Sequence, residues 1–253
     1  MLTADVKEID TTMSSLQSQK QQDRRKSEQY HRVMIAALLA RELRQDGARP
    51  FLTWYDDSTG DRVELSVATT ANWAAKIANH LVDELDLEPG DDMTVGSVLH
   101  WTTAVVLLGG WTAGAHVMFG GPATLDFAID PMGLGLSQLV GSQPDDIATP
   151  IVVSDEPALT IGARTWSHEE LGHAALHGAQ MHGLDPSSRV LSVLGYDAVD
   201  GIDAGLLIPL AAGASVVLVG YANANKLIEK VSAERLTHAA GIDAPNLLRL
   251  DDQ

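Results

Sequence analysis

The chain has 253 residues, of which 45% are hydrophobic and 20% charged, so it can form one large α/β domain or two small ones. It contains no cysteine, which excludes disulfide bonds and thiolate metal sites. Its net charge of −17 argues against binding to nucleic acid or to anionic membranes.

The N-terminal segment differs from the rest in composition. Residues 1–26 are rich in Gln, Ser and Lys, which predicts a polar tail, and they lack the apolar stretch of a secretory signal. Residues 27–48 carry apolar side chains at helical spacing, with Gly47 near the end of the predicted N-terminal helix. We therefore expect a cytoplasmic protein that begins with a tail and a helix.

The next segment predicts a β-hairpin followed by a helix. Residues 50–66, "PFLTWYDDSTGDRVELS", alternate around an Asp-Asp-Ser-Thr-Gly turn. Ser66 or Thr69 can cap the helix that follows, which we expect to run to Leu85.

A repeat then dominates the sequence. Residues 85–119 and 182–219 each contain an acidic Pro turn, an apolar strand ending in Ser-Val-Leu, a small polar loop, an apolar helix, Ala-Gly-Ala and a second apolar strand. This order predicts two βαβ units, with Val95–Leu99 and Val190–Leu194 as core strands. Unbroken apolar strands favour parallel sheets covered by helices. The predicted fold class is therefore α/β.

The repeat also predicts boundaries and turns. We expect one βαβ-type subdomain at residues 49–150 and a second at residues 151–253. Gly114 and Gly213 each follow an apolar helix, where a positive φ ends a helix. The apolar tract at residues 204–222 is broken by glycines and a proline, which favours a helix, a glycine turn and a buried strand over a membrane span.

Several of these segments resemble the adenylate-forming superfamily of acyl-CoA synthetases, nonribosomal adenylation domains and luciferases. The resemblance rests on "SHEEL", "PSSRVLSVL" and "GLLIPLAAGASVVL", which follow in the family's order and spacing. It covers about residues 49–250 and extends to a short actinobacterial subfamily of these proteins. It implies the N-terminal part of the acyl-CoA synthetase fold.

The resemblance also indicates which chemistry is missing. The family's phosphate loop, Thr-Ser-Gly-Thr-Thr-Gly-x-Pro-Lys-Gly, falls on residues 154–163, beginning at Ser154. Asp155 and Glu156 take the places of Ser and Gly, and Gly162 takes the place of the lysine. A carboxylate about 4 Å from a phosphate charge costs on the order of 4 kcal/mol at an effective dielectric near 20. We therefore expect a degenerate loop and no bound nucleotide cofactor.

Two further family features are absent. The aromatic-His pair that gates the family's acyl site corresponds to Asp197 and Ala198, with Tyr196 one residue early. The sequence ends at Gln253, before the family's adenine-binding segment and the C-terminal domain with its catalytic lysine. The resemblance therefore predicts that this chain alone does not complete adenylation, and we assign no catalytic residue.

Other residues are candidates for binding. The region beyond the second repeated strand makes Gly195, Tyr196, Asp197 and Asp200 ligand-pocket candidates, together with His168 at the "SHEEL" helix start. Asp197, Asp200 and Asp203 stand three apart and fit either a cation site or a helix start, with Asp200 as the cap.

Two histidines are weak metal-ligand candidates. His173 and His177 lie four residues apart, so they fit either a metal site completed by an outside carboxylate or ordinary positions on a helix.

Three functions fit the sequence. The first is a binding or assembly module, a homodimer or a partner of another protein, that takes an acyl-type small molecule. The second is a small-molecule enzyme that uses the region between the subdomains. The third is a subunit that completes a split synthetase. A dimer is expected because apolar surfaces around Leu206, Leu210 and Val217 have few predicted covering layers.

Overall fold

The computed structural model describes residues 34–120, 125–127, 135–146, 154–244 and 246–250. The helices in these residues are α1 (Ile35–Asp46), α2 (Val67–Asp83), α3 (Trp101–Ala113), α4 (Leu136–Val140), α5 (His168–Met181), α6 (Val199–Ile202), α7 (Ile208–Ala212) and α8 (Ala224–Ala233), with a π-helical turn at Asp203–Leu207. The strands are β1 (Pro50–Asp56), β2 (Arg62–Ser66), β3 (Asp92–Val95), β4 (His116–Met118), β5 (Leu125–Phe127), β6 (Pro157–Ile161), β7 (Arg164–Ser167), β8 (Arg189–Ser192), β9 (Ser215–Gly220), β10 (His238–Ala240) and β11 (Leu248–Arg249).

The strands form two sheets flanked by helices, which confirms the predicted α/β class. Sheet A has the order β11-β10-β8-β9-β1-β2, and sheet B has the order β5-β3-β4-β6-β7. Neighbouring strands are parallel except in the hairpins β1–β2 and β6–β7. Each sheet therefore ends in one antiparallel strand; the hairpin β1–β2 was predicted from residues 50–66, whereas β6–β7 was not.

The repeat is longer than the sequence analysis recognised, and its two copies are interleaved. Each copy consists of a hairpin, a helix, a strand, an apolar helical segment and a second strand. The first strand of each hairpin pairs in parallel with the last strand of the other copy, so β1 joins β9 and β6 joins β4. Each sheet thus combines strands from both sides of residue 150, and that residue does not separate the two sheets.

A helical layer fills the space between the sheets. α3 contacts β3 and β4 of sheet B and β1 of sheet A, and its residues from Thr102 to Ala113 are all buried. The helix can approach its neighbours closely because it has glycines at the contacts. A Cβ at Gly109 would lie 2.6 Å from Ile77, and one at Gly110 would lie 2.5 Å from Met93. Both contacts are too short for a side chain.

Local signals explain the ends of several elements. Ser66, rather than Thr69, caps α2, because its hydroxyl accepts a hydrogen bond from the Thr69 N–H at 3.1 Å. Gly114 and Gly213 have φ of 88° and 70°, as predicted for helix ends. The helix expected to reach Leu85 ends at Asp83.

The predicted core strands start earlier in the chain than expected. β3 ends at Val95 and β8 ends at Ser192, so residues 96–99 and 193–194 belong to loops. Their apolar side chains made them resemble strand residues, but they lie where the chain leaves each sheet. The predicted tail at residues 1–26 lies outside the described residues, and α1 begins at Ile35 within the predicted helix.

Two arginines link α1 to the second copy of the repeat. Glu42 is 2% exposed and accepts hydrogen bonds from Arg41 and Arg49, each at 2.8 Å. The same arginines donate to the carbonyls of Ala211 at 2.7 Å and Ala214 at 3.1 Å. The helix therefore closes the C-terminal end of α7.

The apolar surfaces expected around Leu206, Leu210 and Val217 are not exposed, since all three side chains are fully buried. Leu206 and Leu210 face the helical layer, whereas Val217 lies under α8, which covers the outer face of sheet A with Leu227. The tract from Ala204 forms a helix, a glycine turn and a strand, as predicted. Within the described residues, no helix is long and apolar enough to cross a membrane.

Candidate functional site

The loops that follow β3 and β8 meet between the two sheets. The N–H of Tyr196 donates to the carbonyl of Ser97 at 3.3 Å, which joins the two loops. A Cβ on Gly201, in α6, would lie 1.8 Å from the carbonyl oxygen of Gly195. Only glycine fits there. In open α/β sheets, ligands bind beyond the carboxyl ends of the strands, and this junction lies at those ends.

Tyr196, a predicted pocket residue, lies inside the core at this junction. Its side chain is fully buried, and its hydroxyl donates to the carbonyl of Gly205 at 3.4 Å. Burial raises the pKa of the phenol above its ordinary value. The ring lies against the π-helical turn, 3.3 Å from where a Cβ on Gly205 would be. Tyr196 therefore packs against the junction from the side of the buried core.

The acidic residues of the second loop differ in environment. Asp197 and Asp200 are exposed, whereas Asp203 is half-buried at the start of the π-helical turn. Burial, and secondarily the charge of Asp200, raises the pKa of Asp203 to about 6, while Arg164 of β7 acts in the opposite direction. The prediction that Asp200 caps the helix was wrong. The N-cap is Ala198, which has no side-chain oxygen, because α6 begins at Val199, so Asp200 already lies in its first turn.

His100 contributes to the junction in a role that the sequence analysis did not identify. It caps α3, with Nδ1 accepting from the Thr102 N–H at 3.2 Å, and lies edge-on to Trp54 with ring centroids 4.1 Å apart. Burial lowers the pKa of the imidazole to about 4. A His-x-Thr sequence before an apolar helix was the available signal, but histidine is an uncommon cap.

The structure corrects the interpretation of residues 154–163. They do not form an open loop, because residues 157–161 are strand β6 and only Gly162 and Ala163 separate it from β7. The apolar residues of this stretch pair with β4 and β7, and Gly162, with φ of 62°, makes the turn.

The acidic residues before β6 lie at the opposite end of that strand from the turn. The carbonyls of Ser154 and Glu156 accept hydrogen bonds from the first N–H groups of α5, while Asp155 is exposed. The segment before β6 therefore helps to begin helix α5 and does not surround an anion.

His168 lies far from the other pocket candidates. It is the first residue of α5 and is 1% exposed, and neither ring nitrogen has a hydrogen-bond partner of good geometry among the residues that the structure describes. Burial lowers its pKa to about 4, with Gly114 and His116 close enough to act on it. Gly114 and His116 lie at the amino end of β4 in sheet B. The structure therefore separates His168 from the junction that contains Tyr196.

The two weak metal candidates lie on the exposed side of α5. His173 is exposed and its Nε2 is 3.6 Å from Glu169, one turn earlier. His177 is also exposed. No group of three or more potential ligands that could hold a metal ion occurs within the part of the chain that the structure describes.

Comparisons with known proteins agree with this architecture. No protein-family model matches the chain. A TIGR03089 family protein from Mycobacterium tuberculosis is 34% identical over 239 residues, which cover 81% of this chain and 97% of that protein.

Solved structures share the fold at low sequence identity. ATP-bound MatB from Rhodopseudomonas palustris matches with a TM-score of 0.68 and 17% identity over 81% of this chain. The anthranilate CoA ligase AuaEII in complex with anthranoyl-AMP matches with a TM-score of 0.70 and 15% identity over 82% of this chain. The chain spans 49% of MatB and 48% of AuaEII, so it corresponds to about half of each. It has the fold of the N-terminal part of acyl-CoA synthetase-like proteins.

Proposed function

The chain belongs to the TIGR03089 family, and we propose that it is an acyl-CoA synthetase-like binding or assembly module that does not carry out adenylation. The observation that carries this proposal is the two-residue turn between β6 and β7. A phosphate loop surrounds an anion with successive backbone N–H groups, and two residues supply too few of them.

The local charges support the same conclusion. Arg164, the first residue after this turn, is close enough to Asp203 to act on its pKa, and Asp200 acts on the same carboxyl. A triphosphate placed beside Arg164 would therefore meet the carboxylate of Asp203 and the charge of Asp200. The electrostatic balance therefore opposes a nucleotide.

Nucleotide binding tests this proposal. Calorimetric titration with ATP and magnesium, and with AMP, is expected to show no binding near millimolar concentration. A chain that bound ATP with micromolar affinity, and lost that affinity when Gly162 and Arg164 were changed, would contradict the proposal. Pyrophosphate exchange with a panel of carboxylic acids gives an independent readout, and we expect none.

We propose that the module acts as a homodimer. Large apolar side chains on the outer side of sheet A support this, since Tyr221, Ile228 and Leu248 are 75%, 69% and 61% exposed. A stable dimer buries roughly 800 Å² on each partner. Light scattering is expected to give twice the 27.0 kDa of one chain, and a monomer at micromolar concentration would contradict this. Removing residues 1–45 is expected to cause aggregation, because it strips α1 from buried surface.

The length comparison favours a second candidate, a subunit of a split synthetase. The chain matches about half of MatB and of AuaEII. Mass spectrometry of proteins that co-purify with the chain tests this candidate. Recovery of a partner resembling the other half of those enzymes would favour the split synthetase over the homodimer.

A further inference from the structure

Four polar side chains form a continuous hydrogen-bonded row on the outer face of sheet B. Nδ1 of His116 on β4 lies 2.7 Å from Oδ1 of Asp92 on β3. Nε2 of the same ring lies 2.7 Å from the hydroxyl of Thr160 on β6. That hydroxyl lies 2.7 Å from the hydroxyl of Thr165 on β7. The row therefore links a carboxylate to an exposed hydroxyl through an imidazole.

The chemistry of the partners fixes the direction of these hydrogen bonds. An ionised carboxylate only accepts, so the Nδ1–H of His116 donates to Asp92. In the form of the ring that carries its only proton on Nδ1, Nε2 accepts, and the hydroxyl of Thr160 donates to it. The hydroxyl of Thr165 donates in turn to Thr160. A hydroxyl bonded to a base that a carboxylate orients is the arrangement that activates a nucleophile.

We propose that Thr160 is an activated nucleophile that accepts an acyl group from an activated acyl donor such as an ester. This inference does not rest on the proposed function, since it concerns the opposite face of sheet B from the helical layer and needs no nucleotide.

The equivalent position in sheet A shows what is special about Thr160. Thr53 occupies the same place in the first hairpin, since each threonine directly follows a bulged Pro-x-Leu start of its strand. Thr53 is fully buried and hydrogen-bonds with Glu64 and Arg189. It therefore has a carboxylate in place of the imidazole and no access to a reactant. Thr160 is half-buried, and it has both the imidazole and access to a reactant.

The surroundings of Thr160 can accommodate an acyl group. The His116 side chain is 13% exposed and that of Asp92 is 44% exposed, so the row is open to solvent at one end. Met118, which pairs with Thr160 across β4 and β6, is half-buried and offers an apolar contact. Thr94 pairs with Met118 on the other side, and its buried hydroxyl has no hydrogen-bond partner among the described residues. The Thr94 hydroxyl is therefore a hydrogen-bond donor that stands next to the row.

The reaction balances within these groups. The Thr160 oxygen forms a bond to the acyl carbon while its proton passes to Nε2 of His116. The bond between the acyl carbon and the leaving oxygen then breaks, and that oxygen takes the proton from Nε2. The acyl group remains on Thr160 as an ester, which water can later cleave with His116 again as the base.

Acetylation by p-nitrophenyl acetate tests this proposal on the full chain. We expect release of p-nitrophenol and one acetyl group on Thr160. Trypsin cuts after Arg164, so Thr160 and Thr165 fall in different peptides and mass spectrometry separates them. His116→Asn keeps a donor for Asp92 but removes the base, and we expect it to slow acetylation by about 100-fold or more.

Two threonine variants complete the test. Thr160→Val is expected to abolish the adduct, and the matched Thr53→Val is expected to retain it, with folding checked by circular dichroism. Acetylation of the unaltered chain at a lysine, at Thr165 or nowhere would overturn the proposal, whether or not a variant folds. An unchanged rate in a folded His116→Asn variant would also overturn it.

Discussion

The two copies of the repeat have the same order of elements but different interior chemistry. In the first copy, the residue after the Ser66 cap is Val67, which is fully buried; in the second, the residue after the Ser167 cap is His168, which is almost as buried. The apolar helix of the first copy is regular, whereas that of the second contains a π-helical turn over Tyr196. The same order of elements therefore accommodates quite different side chains, and each copy has its own set of ionisable groups with a shifted pKa, among them His100 in the first copy and His168 in the second.

The largest difference in stability between matched variants of the two copies is expected at the loop junction. Gly201→Ala places a Cβ 1.8 Å from the Gly195 carbonyl, and both groups belong to the backbone, so neither can rotate away. We expect a loss of more than about 3 kcal/mol of unfolding free energy. Gly96, in the loop of the first copy, has no atom of a described residue beyond its chain neighbours within 4 Å of its Cβ position.

Gly96→Ala is therefore the matched control, and we expect a change within about 0.5 kcal/mol. Urea unfolding of both variants measures the difference. Equal destabilisation by the two changes would show that the loops do not meet as described.

Exchanging His168, the residue after the Ser167 helix cap, tests how the stability of the fold depends on pH. The pKa of His168 is about 4 when folded, below the usual 6.5, because burial disfavours the charged form. Folding is therefore fully stable above pH 6.5, and stability falls as the pH drops from 6.5 to 4 and the unfolded state takes up the proton. The loss reaches about 3 kcal/mol for a shift of this size.

His168→Val copies the residue found in the first repeat and is expected to remove this loss at pH 4. Thermal unfolding at pH 4 and pH 7.5 measures it. His100, whose folded pKa is also about 4, remains in the variant, so part of the acid destabilisation should persist. A variant with the pH dependence of the unaltered chain would show that His168 is not the buried base.

The largely buried ion pair of Arg189 and Glu234 should contribute more to stability than the half-exposed Asp92 of sheet B. Arg189 is 17% exposed and pairs with Glu234, which is 10% exposed. Arg189→Met leaves that carboxylate with fewer partners in a buried setting, and we expect a loss of about 2 kcal/mol. Asp92→Asn changes a side chain that is 44% exposed, and we expect a loss below about 1 kcal/mol. Denaturant midpoints of the two variants measure the difference. A larger loss for Asp92→Asn than for Arg189→Met would contradict this expectation.

Removing the charge at the start of the π-helical turn should give the smallest effect. The folded pKa of Asp203 is about 6, above the usual value, so the folded state prefers the protonated acid. The corresponding stability is present below pH 3.8 and is lost as the pH rises through 6. Asp203→Asn is therefore expected to stabilise the fold at pH 7.5 by about 1 kcal/mol, with part of the full shift screened by solvent.

The control for that change is Asp200→Asn, because Asp200 is exposed. It should alter stability by less than about 0.5 kcal/mol. Thermal unfolding at pH 5 and pH 7.5 distinguishes the two variants, since only the effect of Asp203→Asn should be clearly smaller at the lower pH.

The sequence by itself determined the local elements of this protein. Alternation around an Asp-Gly turn predicted the first hairpin, Ser66 predicted a helix start, and Ala-Gly-Ala predicted both positive-φ glycines. These features depend on residues close in the chain, so their patterns are visible without a fold. The α/β class followed because the same order of elements occurs twice.

Tertiary structure decided how those elements combine. The hairpin at residues 157–167 resembled a degenerate loop because strand β6 is held by β4, which lies about forty residues earlier. The exchange of hairpins between the sheets, the burial of Leu206 and the row from Asp92 to Thr165 also depend on residues far apart in sequence. Pairing across sheets is set by the burial of whole faces, which no local spacing records.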